Sequence, residues 1–172
     1  NSGTTTISSE LTADAIALNA GTLTLTNTQT PYVLPVPTGD GLLGIGDGAT
    51  LSLDWTGAAS QTWTLSGEGT FALQSGQTLN LSTSKTESFA GTIDVPQGAI
   101  LNGAKQNDNR YEFGTGKVRV AGGTVNTGDT NAVITNDIEV ASSEQRSVWH
   151  GGNANLNISG ALTGNGEIYI YT

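Results

Sequence analysis

The chain has 172 residues and a formal net charge of −9 at pH 7, and 35% of its residues are hydrophobic. The negative charge argues against nucleic acids and anionic membranes as partners, because phosphate binding needs clustered cations. The sequence has no cysteine and no run of about 20 apolar residues, so disulfides, thiolate chemistry and membrane insertion through an apolar helix are not expected.

The hydrophobic share is below that of an average globular domain, which favours an elongated stack with a narrow core. We expect residues 1–172 to form a single domain, with residues 1–20 as an N-terminal cap, since stacked repeats need a polar end. The apolar pattern is already under way where the sequence starts and stops. We therefore expect the chain to be tethered to further domains of a larger secreted protein.

The first clear strand pattern lies at residues 21–26, where leucine alternates with threonine. Residues 31–37 contain three prolines, which exclude a central strand and indicate a surface loop or an edge segment. Residues 69–101 then repeat one pattern four times, in which a glycine leads into a short run of apolar residues spaced two apart. This spacing predicts strands with one buried face, and we expect each glycine to supply the bend between strands.

One apolar anchor recurs in each unit, and the resulting period in the low twenties is typical of a solenoid. We predict an all-β fold, a right-handed parallel β-helix of roughly seven to eight coils. An antiparallel β-sandwich is the alternative, because its strands also recur every 8–12 residues or so. The six anchors are Leu51, Phe71, Ile93, Val118, Ile138 and Ile158.

Residues 111–126, 134–140 and 156–168 carry a resemblance to a known family. They combine Gly-Thr-Gly and Gly-Gly bends around a strand, an Asn-Asp-Ile strand, and a Ser-Gly-Ala-Leu-Thr-Gly-Asn-Gly bend. This pattern resembles the right-handed parallel β-helix repeats of bacterial autotransporter passengers. In architecture and setting the chain also resembles the β-helical carbohydrate-binding modules of polysaccharide-degrading enzymes, including xylan-binding ones. Both resemblances imply the fold more strongly than a function.

Few residues are candidates for catalysis. Glu112, Asp137 and Glu139 come nearest to a carboxylate pair, but Asp137 and Glu139 share parity on one strand and are predicted to be solvated outward charges. The single histidine, His150, has no nearby nucleophile and no second histidine with which to bind a metal. We expect no catalytic activity, no metal and no cofactor.

Aromatic residues are frequent sugar-binding groups, because the apolar face of a pyranose ring stacks on them. Four aromatics accompany strand anchors and are predicted in the core, as is Trp55. Tyr169 and Tyr171 alternate with isoleucines and are predicted to point outward, either as a platform or as the last rung. The four predicted core aromatics are Trp63, Phe71, Phe89 and Phe113.

A candidate binding site is predicted from two long loops. Trp149 follows Val148, which fits an inward anchor, so the tryptophan is predicted to lie outside. The loop around residue 110 lies nearly two coils earlier, and stacking would place both loops on one side of the stem. The alternative is a loop that Trp149 packs down against the helix. The predicted ligand-binding residues are Trp149, His150, Arg146, Gln145, Tyr111, Arg110, Asp108 and Asn109.

The sequence thus predicts a non-catalytic carbohydrate-binding module for a plant-type polysaccharide such as xylan, which would target an attached glycoside hydrolase. The alternative is a structural or adhesive passenger fragment of a bacterial surface protein. Either reading implies a secreted or cell-surface bacterial protein.

Overall fold

A computed structural model describes residues 3–105, 110–127, 131–150 and 155–171. Within these ranges the chain forms short β-strands and no helix. The strands are β1 (Thr4–Ile7), β2 (Thr22–Leu25), β3 (Tyr32–Pro35), β4 (Leu42–Ile45), β5 (Thr50–Asp54), β6 (Gly57–Ser60), β7 (Thr64–Gly67), β8 (Thr70–Ala72), β9 (Gln77–Asn80), β10 (Ser88–Phe89), β11 (Thr92–Pro96), β12 (Ile100–Asn102), β13 (Ala104–Lys105), β14 (Arg110–Glu112), β15 (Lys117–Ala121), β16 (Thr124–Asn126), β17 (Ala132–Ile134), β18 (Asp137–Val140), β19 (Ser147–His150), β20 (Leu156–Ile158), β21 (Leu162–Gly164) and β22 (Ile168–Tyr171).

Successive coils stack so that strands pair in parallel with their counterparts in the neighbouring coils. Among the described strands the exception is β13, which pairs antiparallel with β14. Ile93 of β11, for example, lies opposite Phe71 of β8 and Val118 of β15. The predicted parallel β-solenoid is therefore confirmed, with about seven turns, and the antiparallel sandwich is wrong. The sheets are β1-β2-β4-β7-β10, β21-β18-β15-β11-β8-β5-β3, β22-β19-β16-β12-β9-β6 and β13-β14-β17-β20.

The core consists of columns of inward side chains, each stacked on the residue one coil away. Five of the six predicted anchors form one such column in the seven-stranded sheet. The position that follows Ile138 in this column is Leu162, not the predicted Ile158, which instead lies opposite Ile134 in the four-stranded sheet. The sequence pattern shows the period, but only the register shows which side of the coil an anchor occupies.

The proline-rich segment forms an edge strand. β3 pairs with β5 and ends the seven-stranded sheet, which confirms the edge-segment interpretation of residues 31–37. Its side chains at Tyr32 and Leu34 are buried, and the Tyr32 hydroxyl donates a hydrogen bond of 2.8 Å to the carbonyl oxygen of Ile7. This bond ties the edge strand to the first coil.

The aromatic predictions for the core are also confirmed. Trp63, Phe71, Phe89 and Phe113 are fully buried. Trp55 is partly buried and packs against the core, and its indole N–H donates to the carbonyl oxygen of Gly57 at 3.2 Å.

The glycines that precede strands act in two different ways. Gly76 and Gly98 have φ angles of 82° and 79°, the left-handed conformation expected for a bend. Gly91 and Gly116 instead allow close stacking: a Cβ atom on Gly91 would lie 1.9 Å from the carbonyl oxygen of Gly69, and one on Gly116 would lie 1.9 Å from that of Gly91. At this corner glycine is needed because the neighbouring coil leaves no room for a Cβ atom.

Replacing Gly116 by alanine is therefore expected to lower the free energy of unfolding by about 1–3 kcal/mol or more, because the methyl group overlaps a backbone atom that cannot move aside cheaply. Gly3→Ala is the control, since nothing lies within 4 Å of its added Cβ. Chemical denaturation of the two variants measures the difference, and equal stabilities would contradict the close-stacking explanation.

Candidate functional site

Trp149 is buried, so the prediction that it lies outside is wrong. Its side chain is 0% exposed, lies in register with Val125, and meets the ring of Phe113 edge-on at 5.9 Å between centroids. Residues 147–150 form strand β19, with Ser147 and Trp149 inward and Val148 half-buried on the outer side. The sequence interpretation placed Val148 inward, and a slip of one residue reverses the facing of every side chain in a strand.

Two of the remaining predicted site residues, Arg110 and Tyr111, lie on a different sheet from Trp149. Tyr111 is buried in β14, where it lies opposite Ile134, and Arg110 beside it is exposed. His150 ends strand β19. Asp108 and Asn109 lie outside the described residues.

Gln145 and Arg146 are exposed at a different corner of the solenoid, between β18 and β19. They line a cavity of about 390 Å³ between residues 142–146 and residues 165–167. Arg110 lines a separate cavity of about 270 Å³. The two cavities share no lining residue, and the corner around Gln145 and Arg146 adjoins exposed aromatic surface.

That aromatic surface lies on the outer side of the six-stranded sheet. Tyr169 and Tyr171 are 48% and 50% exposed, which confirms that they point outward. Their ring centroids are 5.1 Å apart and the ring planes are inclined by 37°. Two residues two apart on one strand share a face, so the two rings form a contiguous apolar patch.

A ladder of asparagine side chains leads along the same sheet face toward the tyrosines. Asn102 donates from Nδ2 to Oδ1 of Asn80 at 2.6 Å, and Asn126 donates to Oδ1 of Asn102 at 2.7 Å. The register continues from Asn126 through His150 to Tyr171. We call this surface the Asn–Tyr face and define it by Asn80, Asn102, Asn126, Tyr169 and Tyr171.

The sequence interpretation missed the asparagine ladder, although a signal for it was present. Asn80, Asn102 and Asn126 recur with the same low-twenties period as the hydrophobic anchors. A polar residue repeating in phase with the coil predicts a stacked column on the solenoid surface.

The corner beside Tyr169 carries a charged pair. Arg146 Nε donates to Glu167 Oε2 at 2.7 Å, and the Arg146 guanidinium carbon lies 5.8 Å from the centroid of the Tyr169 ring. Both charged side chains are more than half exposed. An ion pair this exposed adds little stability, so Arg146 can exchange Glu167 for a ligand oxygen at low cost while it remains beside the aromatic patch.

A cluster of charged side chains on the seven-stranded sheet is internally paired. Lys117 contacts Glu139 at 2.7 Å, and Arg119 contacts Asp94 at 2.8 Å and Glu139 at 3.4 Å. The hydrogen bond from Lys117 lowers the pKa of Glu139, and the bond to Asp94 raises the pKa of Arg119. A carboxylate held ionised in this way is poorly suited to act as a general acid.

Asp137 and Glu139 both face outward, as predicted for one strand. Asp137 Oδ1 accepts the backbone N–H of Ala161 at 2.8 Å, which links β18 to the next coil. These two carboxylates therefore have structural partners.

Within the described ranges no group of three or more His, Cys, Asp or Glu side chains could hold a metal ion. Nor does any helix in this part of the chain have the length and apolarity to cross a membrane. No family model, curated protein or solved structure matches this chain. A function is therefore inferred from the surface chemistry of the solenoid itself.

Replacing Asn102 by alanine is expected to lower the free energy of unfolding by about 1–3 kcal/mol, because it removes two short amide–amide hydrogen bonds and leaves half-buried partners unsatisfied. Asn155→Ala is the matched control: its bond to Asn131 is exposed, and a change under about 0.5 kcal/mol is expected. Urea denaturation of both variants measures the two changes. An equal loss of unfolding free energy would show that the ladder bonds stabilise the fold no more than an exposed hydrogen bond does.

The ion-pair cluster makes a prediction about pH. The folded-state pKa of Glu139 is below its ordinary value of 4.5, so its contribution to stability is present above that pH and is lost as the pH falls through the lowered pKa. Glu139→Gln is expected to be less stable than the parent at pH 7, with the difference disappearing in more acidic solution. Denaturation curves across this range measure it. Glu144→Gln, an exposed corner substitution, controls for the change in net charge, and a difference independent of pH would contradict the assignment.

Proposed function

We propose that this protein is a non-catalytic carbohydrate-binding module and that a polysaccharide lies along the Asn–Tyr face. The observation that carries the proposal is the outward tyrosine pair at the end of an asparagine ladder, with Arg146 beside it. Large apolar rings exposed next to hydrogen-bonding groups suit a ligand that has both apolar and hydroxylated surfaces.

The tyrosines supply the apolar part of this site. A pyranose ring presents C–H groups on its flat sides, and these pack on an aromatic ring while the hydroxyls at the ring edge remain available. The separation of 5.1 Å between the Tyr169 and Tyr171 centroids gives adjacent platforms on one strand. The patch therefore suits a stretch of an extended chain lying across the strand.

The polar part comes from amides and the guanidinium group. Each amide has two N–H donors and one carbonyl acceptor, and one donor on Asn102 and on Asn126 is used within the ladder. The second N–H of each can serve sugar hydroxyls. Arg146 and Gln145 add exposed donors and an acceptor at the adjoining corner.

The charge of the protein favours a neutral glycan. A net charge of −9 disfavours polyanionic polysaccharides at long range. We propose a neutral plant-type polysaccharide, with xylan as the first candidate. An exposed, shallow surface of this kind serves to hold an attached glycoside hydrolase near its substrate, because tethering raises the effective concentration without tight binding. This role implies a secreted or cell-surface bacterial protein.

A second candidate is a structural or adhesive passenger segment. It is favoured by the regular stacking itself, because a solenoid whose coils contact only their neighbours makes an extended stem. The migration of such a stem in affinity electrophoresis would not be retarded by any soluble glycan.

Affinity electrophoresis against soluble xylans, glucans and mannans separates these candidates. We expect retardation on xylan, and we expect Tyr169→Ala combined with Tyr171→Ala to weaken it about fivefold to a hundredfold, since each of the two lost stacking contacts costs about 0.5–1.5 kcal/mol. Arg146→Ala is expected to weaken it less. Trp55→Ala is the control, because it removes a partly exposed aromatic outside the Asn–Tyr face.

Two results would overturn the proposed site. Mobility unchanged by every glycan favours the stem, and retardation that persists in the double tyrosine variant places the binding surface elsewhere. Release of reducing ends from the same polysaccharides would contradict the non-catalytic assignment.

A further inference from the structure

One connection between the seven-stranded and six-stranded sheets is longer than its neighbours. Residues 141–146 join β18 to β19, whereas the same corner is turned by residues 122–123 in the preceding coil and by residues 165–167 in the following one. Ala141 still follows the common path, because its N–H donates to a carbonyl oxygen of β15. Residues 142–146 are therefore an addition to the repeat, and all of them are exposed.

These added residues, 142–146, form a corner loop that is held against the preceding coil. A Cβ atom on Gly122 would lie 2.7 Å from Ser143 Oγ, so the loop packs directly on a glycine. Ser143 Oγ donates a hydrogen bond to the carbonyl oxygen of Gln145. The Gly122 N–H donates to Ser147 Oγ at 3.0 Å, where β19 begins. The corner loop is thus anchored on one side.

The other side of the corner loop forms one wall of the cavity of about 390 Å³, and residues 165–167 form the second wall. Pockets for small ligands range from about 300 to 1,000 Å³. This cavity is near the small end of that range, so it suits one sugar residue better than several.

The cavity lies in line with the exposed tyrosines. Glu167 directly precedes β22 and has the same parity as Tyr169 and Tyr171, which places the three side chains on one face. Two residues span about 6–7 Å along a strand, a step that one sugar residue bridges. Arg146 contacts both parts, because its Nε lies 2.7 Å from Glu167 Oε2 and its guanidinium carbon 5.8 Å from the Tyr169 centroid.

The charges of the cavity favour a neutral occupant. Two carboxylates and one guanidinium group line it, from Glu144, Glu167 and Arg146. Since Arg146 pairs with Glu167, the Glu144 carboxylate leaves a negative potential there. A uronic acid would add a further carboxylate and be repelled. Neutral hydroxyls can instead donate to the carboxylates and accept from Gln145 or Arg146.

We propose that this cavity is a branch subsite, which takes a single neutral sugar substituent of a polysaccharide whose main chain crosses the tyrosines. The main chain lies over the Asn–Tyr face, and the substituent points along the strand direction from Tyr169 toward Glu167. The branch subsite rests on the proposed glycan function and narrows it, because the preferred ligand becomes a xylan with neutral side groups such as arabinose. Unsubstituted xylan lacks the group that fills the cavity, and glucuronoxylan carries an acidic one.

Titration calorimetry of the 172-residue chain tests this with xylo-oligosaccharides of one backbone length that are unsubstituted, carry one arabinose, or carry one glucuronic acid. We expect the arabinose branch to raise the affinity about tenfold, the gain from one or two hydrogen bonds, and the acidic branch to give no gain. Ser142→Trp puts a large side chain into the cavity. It is expected to bring the ratio of affinities for the arabinose-substituted and unsubstituted compounds down to about one.

Removal of both carboxylates tests the role of charge. Glu144→Gln combined with Glu167→Gln leaves Arg146 in the cavity without an acidic partner, and is expected to raise the affinity for the acidic oligosaccharide about tenfold. Asp54→Asn combined with Glu68→Gln makes the same change in net charge at exposed sites several strand spacings away. This control is expected to change that affinity by less than about twofold, because distant surface charges are screened.

Circular dichroism establishes that each variant keeps its fold before affinities are compared. Equal affinity of the parent chain for the unsubstituted and arabinose-substituted compounds overturns the branch subsite, and so does a preference that survives Ser142→Trp. Equal gains from the two double variants overturn the role of the cavity carboxylates. Failure to bind any of the three compounds also overturns the branch subsite. The proposed glycan function fails with it only if no soluble polysaccharide retards the chain in electrophoresis.

Discussion

The structure depends on one constraint, which is that every coil must repeat the register of the coil before it. Inward side chains then stack in columns, as Phe71, Ile93 and Val118 do, and a narrow core is enough to hold the chain. Backbone hydrogen bonds connect all coils along the axis. The close approach of Gly91 to Gly69, and of Gly116 to Gly91, shows how little room the corners leave. A residue with a Cβ at these corners would push successive coils apart.

The same register determines what the surface can bind. A residue that recurs once per coil becomes a column on the outside, as the asparagines do, and the last coil adds tyrosines to the same sheet face. The charge cluster on the seven-stranded sheet is also made by register, since Asp94, Arg119 and Glu139 are opposite each other in successive strands. That cluster is neutralised internally, whereas the Asn–Tyr face presents exposed rings and side-chain amides. Ligand binding is therefore proposed on the latter.

The two ends of the solenoid differ in how regularly their strands repeat. The first coil interrupts its strands with residues 8–20, while the last coil is regular on three sides and leaves Leu162 and Ile170 exposed. Glycan binding is proposed for this coil because the tyrosines of β22 face solvent on the outer side of the pleat, while Ile170 lies opposite the buried Trp149 on the inner side.

The sequence by itself determined the class of fold, its period, the edge position of residues 31–37 and most of the core, because period-two apolarity and glycine spacing are local properties of the chain. It predicted Tyr169 and Tyr171 outward by the same parity rule. The predicted direction of every side chain in a strand is reversed where the strand boundary is misjudged by one residue. For this reason Trp149 is predicted outside, whereas it lies in the core. Only the tertiary structure decided that Arg110 and Arg146 lie at separate cavities and that the asparagines bond to one another. Those facts depend on which coils are neighbours. The neighbours depend in turn on the lengths of the loops between strands, which no local sequence pattern determines.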